Sequence, residues 1–323
     1  MKTMEVSIII PSRNNLKWLL RCLPTLLLQD FDEYEVIVVD NGSTDGSLSE
    51  IKTLFPNVKL VEMGYDAFLC KSVNAGISYA AGDYIALVNN DTEFPVSWLS
   101  NAIQSFKHDC SVGAVASKIL SLRNPKLIDS AGNYFLKNGL AGNRGWQQPD
   151  DGRYDKEIEV FSPSLAGAVY RKSALKEIGG FDDHLVAYYE DIDVAFRMRL
   201  LGYCCVYNPK AVMYHYGSGT KESSFKRLRL LERNMVINLI KNMPTELLKK
   251  YGGSILKANL FLHATTEIRQ QRRLLPWLFG KIDSLKLLSH AIQQRKVIQK
   301  TRKIDLEELE NMISTQYAGH VHL

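Results

Sequence analysis

Between Glu5 and Asn90 the chain alternates short, unbroken apolar runs with longer segments of helical period, and few folds accept that alternation. EVSIIIP, YEVIVVD, NVKLVEM and YIALVNN are rich in Val and Ile, as strands buried on both faces of a parallel sheet must be. NLKWLLRCLPTLLLQD and LCKSVNAGISYAAG read as helices, the first with Pro24 placed to kink it, the second closed by Gly82. This order predicts an α/β fold with a mostly parallel central sheet flanked by helices. Ligands of such sheets sit beyond the carboxyl ends of the strands. Three polar loops fall there: PSRNN after the first strand, DNGSTDGS after the second and NNDTEF after the fourth.

YIALVNNDTEF poses the sharpest question, because a core strand gives way at once to Asn89, Asn90, Asp91 and Glu93. Oxygen-bearing side chains at a sheet's carboxyl edge suit a hard divalent cation. The same residues also make an ordinary strand-end turn. Asp40 closes the second strand, where a carboxylate can accept from a base N–H, while Ser43 or Asp45 is suited to cap the next helix. Residues 110–165 read as one strand, CSVGAVASKIL, followed by Gly-, Asn- and Pro-rich loop.

In YYEDIDVAFRMRLLGY, Glu190 and Asp191 open a helix predicted over about Glu190–Leu201. Its apolar residues occupy two sides, so it is expected to be covered from both. An acidic first turn suits the helix dipole, but buried carboxylates need partners or a task. A general base with a neighbour to orient it accounts for both. Asp193, four residues before Arg197, reads as an ordinary helical ion pair. His215 in AVMYHYG reads either as a satisfied structural histidine or as a metal ligand that suits Mn²⁺ better than Mg²⁺.

Taken in order, VSIIIPSRNN, VIVVDNGSTDGS, NAGISYAAGDYIALVNNDTEF and AGAVYRKSALKEIGGFDDHLVAYYEDIDVAFRMRLLGY resemble the family 2 inverting glycosyltransferases of the GT-A (nucleotide-diphospho-sugar transferase) fold. Within that family the chain is similar to the bacterial rhamnosyltransferase-like branch, and the resemblance covers about residues 5–235. It implies that Pro11, Ser12, Arg13 and Asp40 surround the nucleotide base and that Asn74 contributes to donor binding. Asn89-Asn90-Asp91 matches the DXD segment, with Asp91 on the metal and diphosphate; Asn89 stands where the pattern has Asp and is a weaker, neutral ligand. Asp191 matches the general base and Glu190 its partner, Gly167 and Ala168 line the donor or acceptor site, and His215 matches a histidine that some relatives place on the metal.

The resemblance thus implies a divalent cation, Mg²⁺ or Mn²⁺, as cofactor. The donor would be dTDP-rhamnose or a UDP-hexose, and the acceptor a glycan or polyprenyl-linked hydroxyl in cell-surface polysaccharide synthesis. A nucleotidyltransferase on a similar sheet would want a Gly-rich basic loop after strand one, whereas PSRNN has no glycine and one arginine. A non-catalytic carbohydrate or nucleic-acid binding module would have no need of a paired base and a metal carboxylate.

Residues 1–222 are expected to form the catalytic domain and 223–323 a basic, wholly helical extension. Residues 221–303 carry 19 Lys and Arg against 5 Asp and Glu, whereas residues 1–220 carry 21 against 26 and residues 304–323 carry 0 against 4. Such a field suggests an anionic partner, either a membrane surface or nucleic acid; the lipid-linked acceptors that the resemblance implies favour the membrane over nucleic acid. Trp277, Leu278 and Phe279 amid basic residues fit an interfacial helix; packing on the catalytic domain or on a second subunit, as in a homo-oligomer, is the alternative. No apolar run reaches the roughly 18 residues of a spanning helix. The N-terminal run is too short for a signal peptide and lacks its cleavage pattern. Five cysteines without metal-ligand spacing fit a reducing compartment. The expected setting is the cytoplasm, at the inner face of the membrane.

Overall fold

The computed structural model describes residues 4–107, 109–217, 223–259 and 274–315. Four parallel strands, β1 (Val6–Ser12), β2 (Tyr34–Asp40), β3 (Lys59–Glu62) and β4 (Tyr84–Val88), form one half of the sheet. They are joined by α1 (Leu16–Leu26), α2 (Ser47–Leu54) and α3 (Phe68–Tyr79). Pro24 lies inside α1, which continues past it to Leu26. Side chains alternate across the sheet. Ile9, Ile37, Val39 and Leu87 pack under α3 on one face, and Ile8, Ile10, Val36, Val38 and Ala86 pack with α1 on the other. Both faces are therefore dry, which is why these runs carry no polar alternation.

The rest of the sheet grows from β4. After β5 (Thr92–Glu93) and α4 (Trp98–Gln104) come β6 (Val112–Ser121), β7 (Ile128–Ser130), β8 (Asn133–Phe135), β9 (Ala141–Asn143) and β10 (Ile158–Glu159). The stretch expected as loop after β6 thus holds short strands, with β8 and β9 pairing as a separate hairpin. Then follow β11 (Gly167–Arg171), α5 (Lys172–Glu177), α6 (Glu190–Leu200) and the long β12 (Cys204–His215). The sheet order is β10-β12-β6-β11-β4-β1-β2-β3, with β5 on β12 and β7 on β6. Since β11 is antiparallel to both β4 and β6, and β12 is parallel to β6, the carboxyl ends of β1, β2, β4, β6 and β12 share one rim.

The C-terminal third is α7 (Ser224–Asn242), α8 (Thr245–Lys257), α9 (Leu274–Lys286), α10 (Leu288–Lys300) and α11 (Leu306–Thr315). The helical expectation holds for the described residues, although turns separate the helices. Residues 260–273, which include Arg269, Arg272 and Arg273, lie outside the described residues. A third apolar cluster joins α6 to this region through Phe135, Phe161, Phe196, Met235, Leu239, Ile298 and Leu309.

Gly82 shows how tightly β1 and β4 are spliced. A Cβ there would stand 2.6 Å from the Val6 carbonyl carbon and 2.7 Å from the Ser7 nitrogen, and its own N–H donates to Ser7 Oγ at 2.9 Å. Backbone cannot yield as a flexible side chain can. Gly82→Ala is expected to destabilise the fold by about 1–3 kcal/mol through overpacking, read as a lower urea midpoint at unchanged slope.

Candidate active site

The loops after β1 and β2 are laced together at the rim. Asp40 Oδ2 accepts from the N–H groups of Gly42 and Ser43, each at 3.0 Å. Asn14 N donates to Ser43 Oγ at 2.9 Å, and Thr44 N returns a bond to Asn14 Oδ1 at 2.7 Å. Asp45 caps Ser47 N at 3.1 Å and also accepts from Leu16 N at 3.0 Å, so one carboxylate ties the starts of two helices. Burial would raise its pKa, but these bonds outweigh that and hold it below the ordinary aspartate value. Pro11 and Ser12 are the last residues of β1, opposite Val39 and Asp40, and Arg13 pairs with Asp66 on the surface.

Asn90 reaches back across the rim to Ser12, its Nδ2 donating to Oγ at 3.0 Å. Asp91 is 4% exposed and faces His215, which ends β12: Nε2 lies 3.3 Å from Asp91 Oδ1 and 3.3 Å from Asn89 Nδ2. The other ring nitrogen, Nδ1, is 2.8 Å from Asp129 Oδ2. Asp129 was invisible to the sequence because it sits in the stretch expected as plain loop. Burial alone would lower the imidazole's pKa, but Asp129 and Asp91 push it up to about 9. A carboxylate on Nδ1 fixes the tautomer whose Nε2 is free to ligate, the arrangement seen behind metal-bound histidines. Asp91 and His215, with Asn89 beside them, have the N/O chemistry that would suit a divalent cation once Nε2 is deprotonated.

Asp191 is partly exposed, whereas every other residue of α6 is buried. Its Oδ2 accepts from Asn133 Nδ2 at 2.9 Å and its Oδ1 from Ile192 N at 2.8 Å. Asn133, at the start of β8, is a second residue that sequence reasoning missed. Among the described residues neither Glu190 nor Asp191 has a basic partner, and Glu190 Oε2 is buried without a hydrogen bond. Burial raises both carboxyl groups, and the Asp191 charge raises Glu190 further, above Asp191. Two adjacent acids resist ionising together, and Asp191, which accepts two N–H bonds where Glu190 Oε2 accepts none, is the better placed of the two to carry the negative charge.

These parts share one rim. Asn89 N donates to Ala166 O at 3.3 Å, and the backbone N–H of the neighbouring Leu165 helps hold the Asp191 pKa down. Asp129 and Asn133, four residues apart, reach His215 and Asp191 respectively. Asn41 N donates to Ser12 O at 2.9 Å, joining the Asp40 loop to the same edge.

Three expected site residues have other partners. Asn74 donates to Phe181 O and Asp183 Oδ1, both at 2.8 Å, and accepts from Phe181 N at 3.0 Å, so its amide braces the loop before α6. Gly167 begins β11 where a Cβ would lie 1.9 Å from Met213 Sδ, and Ala168 is 0% exposed in the core. Packing beneath the rim accounts for both. The Asp193–Arg197 pair is the helical i,i+4 ion pair expected, but it is buried, and Lys241 Nζ also lies 2.6 Å from Asp193 Oδ1. Among the described residues, Asp182, His184 and His290 also bring ligand atoms within 4.8 Å of one another, but Lys241 already stands 2.6 Å from Asp182 Oδ2 as its counter-ion.

The sequence profile of "Glycosyl transferase family 2" matches residues 7–179. The poly-beta-1,6-N-acetyl-D-glucosamine synthase of Staphylococcus epidermidis is 25% identical over 222 residues, 65% of this chain and 49% of that protein. This chain spans between 26% and 49% of the length of the first curated relatives it matches. Two solved structures share the fold. The mannosyltransferase PcManGT of Pyrobaculum calidifontis, in complex with GDP-Man and Mn²⁺, has a TM-score of 0.56 at 16% identity, covering 97% of this chain and 88% of that one. S. aureus TarS 1-349, in complex with UDP-GlcNAc, has a TM-score of 0.60 at 18% identity, covering 92% and 91%.

Because Glu190 binds its proton more tightly when folded than unfolded, its contribution favours the fold at low pH and is lost as pH rises toward its raised pKa. Glu190→Gln, which cannot ionise, should raise the melting temperature at about pH 8 and leave it nearly unchanged at about pH 4. Thermal melts across that range check the sign.

Proposed function

This chain belongs to glycosyl transferase family 2 and has the GT-A fold, and on that premise we propose that it moves a sugar from a nucleoside-diphosphate donor to an acceptor hydroxyl with inversion. What supports the reading is that Asp129 and Asn133, four residues apart, reach His215 and Asp191 respectively, which brings the Asp91–His215–Asp129 set near the Glu190–Asp191 pair, and that this pair has no basic partner among the described residues.

The chemistry follows from the side chains. Asp91 and His215, with Asn89 beside them, would hold a divalent cation. When bound there, it supplies Lewis acidity to the leaving diphosphate. Asp40 and the interlocked loops around Ser12 and Ser43 offer a rigid edge for the nucleotide base. Asp191 accepts the proton of the acceptor hydroxyl as its oxygen bonds to the anomeric carbon. The bond to the diphosphate oxygen breaks on the opposite face, and the configuration inverts. Neutral Glu190 keeps a second negative charge out of the pocket, and Asn133 holds Asp191 in place.

The similarity to a poly-N-acetylglucosamine synthase and to a structure holding UDP-GlcNAc favours a UDP-hexosamine donor over dTDP-rhamnose. The acceptor on this reading is a growing glycan or a lipid-linked saccharide. Asp191→Asn should lower transfer by about 10²–10⁴-fold, the usual worth of general base catalysis, while a thermal-shift panel of nucleotide sugars with Mn²⁺ or Mg²⁺ shows donor binding intact. Normal turnover by that variant would overturn the assignment of the base.

No described helix is long and apolar enough to cross a membrane. We read α9 as a surface contact instead. Leu274, Leu275, Leu278, Ile282 and Leu285 are 42–67% exposed at helical spacing along it, on the strongly basic part of the chain. Trp277 does not join them freely, since its indole N–H donates to Asn259 O at 3.2 Å. Leu278→Glu with Ile282→Glu should abolish sedimentation with phosphatidylglycerol vesicles and leave transfer to a soluble acceptor intact; unchanged sedimentation would refute the contact.

A further inference from the structure

The segment leading into α6 is built from backbone conformations that L-residues avoid. Val186 has φ 70° and ψ −67°, and Ala187 N bonds Leu185 O at 2.8 Å, a positive-φ γ-turn on a β-branched residue. Tyr188 and Tyr189 follow at φ 67° and 66°. Nothing in their own side chains favours this.

One face of α7 does. Asn234 Nδ2 reaches the carbonyls of Leu185, Ala187 and Tyr188 at 2.9, 2.8 and 2.7 Å. Arg233 donates to the carbonyls of His184 and Leu185 at 3.0 and 2.7 Å, and its Nε holds Asn234 Oδ1 at 2.9 Å. One turn on, Asn238 Nδ2 donates to Tyr189 O at 3.2 Å. A further turn on, Asn242 Nδ2 donates to Asp193 Oδ1 at 2.8 Å, and Lys241 Nζ lies 2.6 Å from Asp182 Oδ2 and 2.6 Å from Asp193 Oδ1. Asn234, Asn238, Lys241 and Asn242 are at most 1% exposed. A helix that only had to pack would put leucine at those positions, because buried amides cost free energy unless fully bonded.

Resting on the reading of Asp191 as proton acceptor, we propose that this inward stripe of α7 is a positioning array. It holds segment 186–189, in which Val186, Tyr188 and Tyr189 have positive φ, and so sets where the carboxylates of Glu190 and Asp191 stand. Asn234 is its central positioning residue and touches no substrate.

The test is Asn234→Ala in the full chain. Turnover should fall about 10- to 100-fold, the scale of a misplaced catalytic group, while the donor KM and nucleotide binding change by less than about twofold. Glycine adopts positive φ without strain. Adding Val186→Gly to Asn234→Ala should therefore restore much of the turnover, which a loss of packing alone would not permit. Hydrogen exchange should quicken in 184–192 and nowhere else. Should Asn234→Ala unfold at assay temperature, Asn238→Ala, which removes one longer bond, carries the same measurements. Turnover within twofold of the parent, exchange spread evenly over the chain, or a folded variant that Val186→Gly fails to rescue would each overturn the array. If the parent chain turns over no nucleotide sugar, the transferase reading fails by itself, and the exchange pattern alone then decides whether the array holds the loop.

Discussion

Buried carboxylates are the constraint around which this structure is arranged, because each must find a positive charge, a set of N–H donors or a proton. Asp193 has Arg197 and Lys241, and Asp182 has Lys241 and His290. Asp40 has the backbone of its own turn, and Asp91 has His215. Glu190 and Asp191 alone in this company keep a proton instead of a cation. Removing one partner from a buried ion pair typically costs about 3–5 kcal/mol. Glu190 and Asp191 avoid a cost of that kind by the other route, with burial raising both carboxyl groups so that they hold protons more tightly.

The strand ends were legible because a parallel sheet leaves little choice. Runs such as EVSIIIP and YEVIVVD cannot be half-exposed, so their carboxyl ends had to gather at one edge, and Ser12, Asp40 and Asn90 do gather there. Asp91 and the start of α6 were legible for a related reason: acidic residues abutting apolar runs are conspicuous. Asp129 and Asn133 were not. They lie among Gly, Asn and Pro residues that would read the same way in an idle loop, and their meaning comes only from strands β7 and β8 folding back over β12 and α6. Asn74, Gly167 and Ala168 show the opposite case. Their positions in a familiar motif suggested ligand contact, whereas the amide of Asn74 is taken up by Phe181 and Asp183 and the other two lie against the core.

The helix α7 shows what composition leaves out of the C-terminal third. Its Asn, Lys and Arg residues look like a solvated face, and a basic appendage is the natural inference. Yet the polar stripe points inward, since what lies opposite it is not a hydrophobic surface but a row of carbonyls freed by left-handed backbone. A strained loop and a buried polar stripe are each costly alone, and each supplies what the other lacks. Neither would be recognisable from its own residues. The expected boundary at 222 therefore separates two segments that complete one another: the carboxylates arise from the segment before it, and the amides that fix their approach arise from the segment after it.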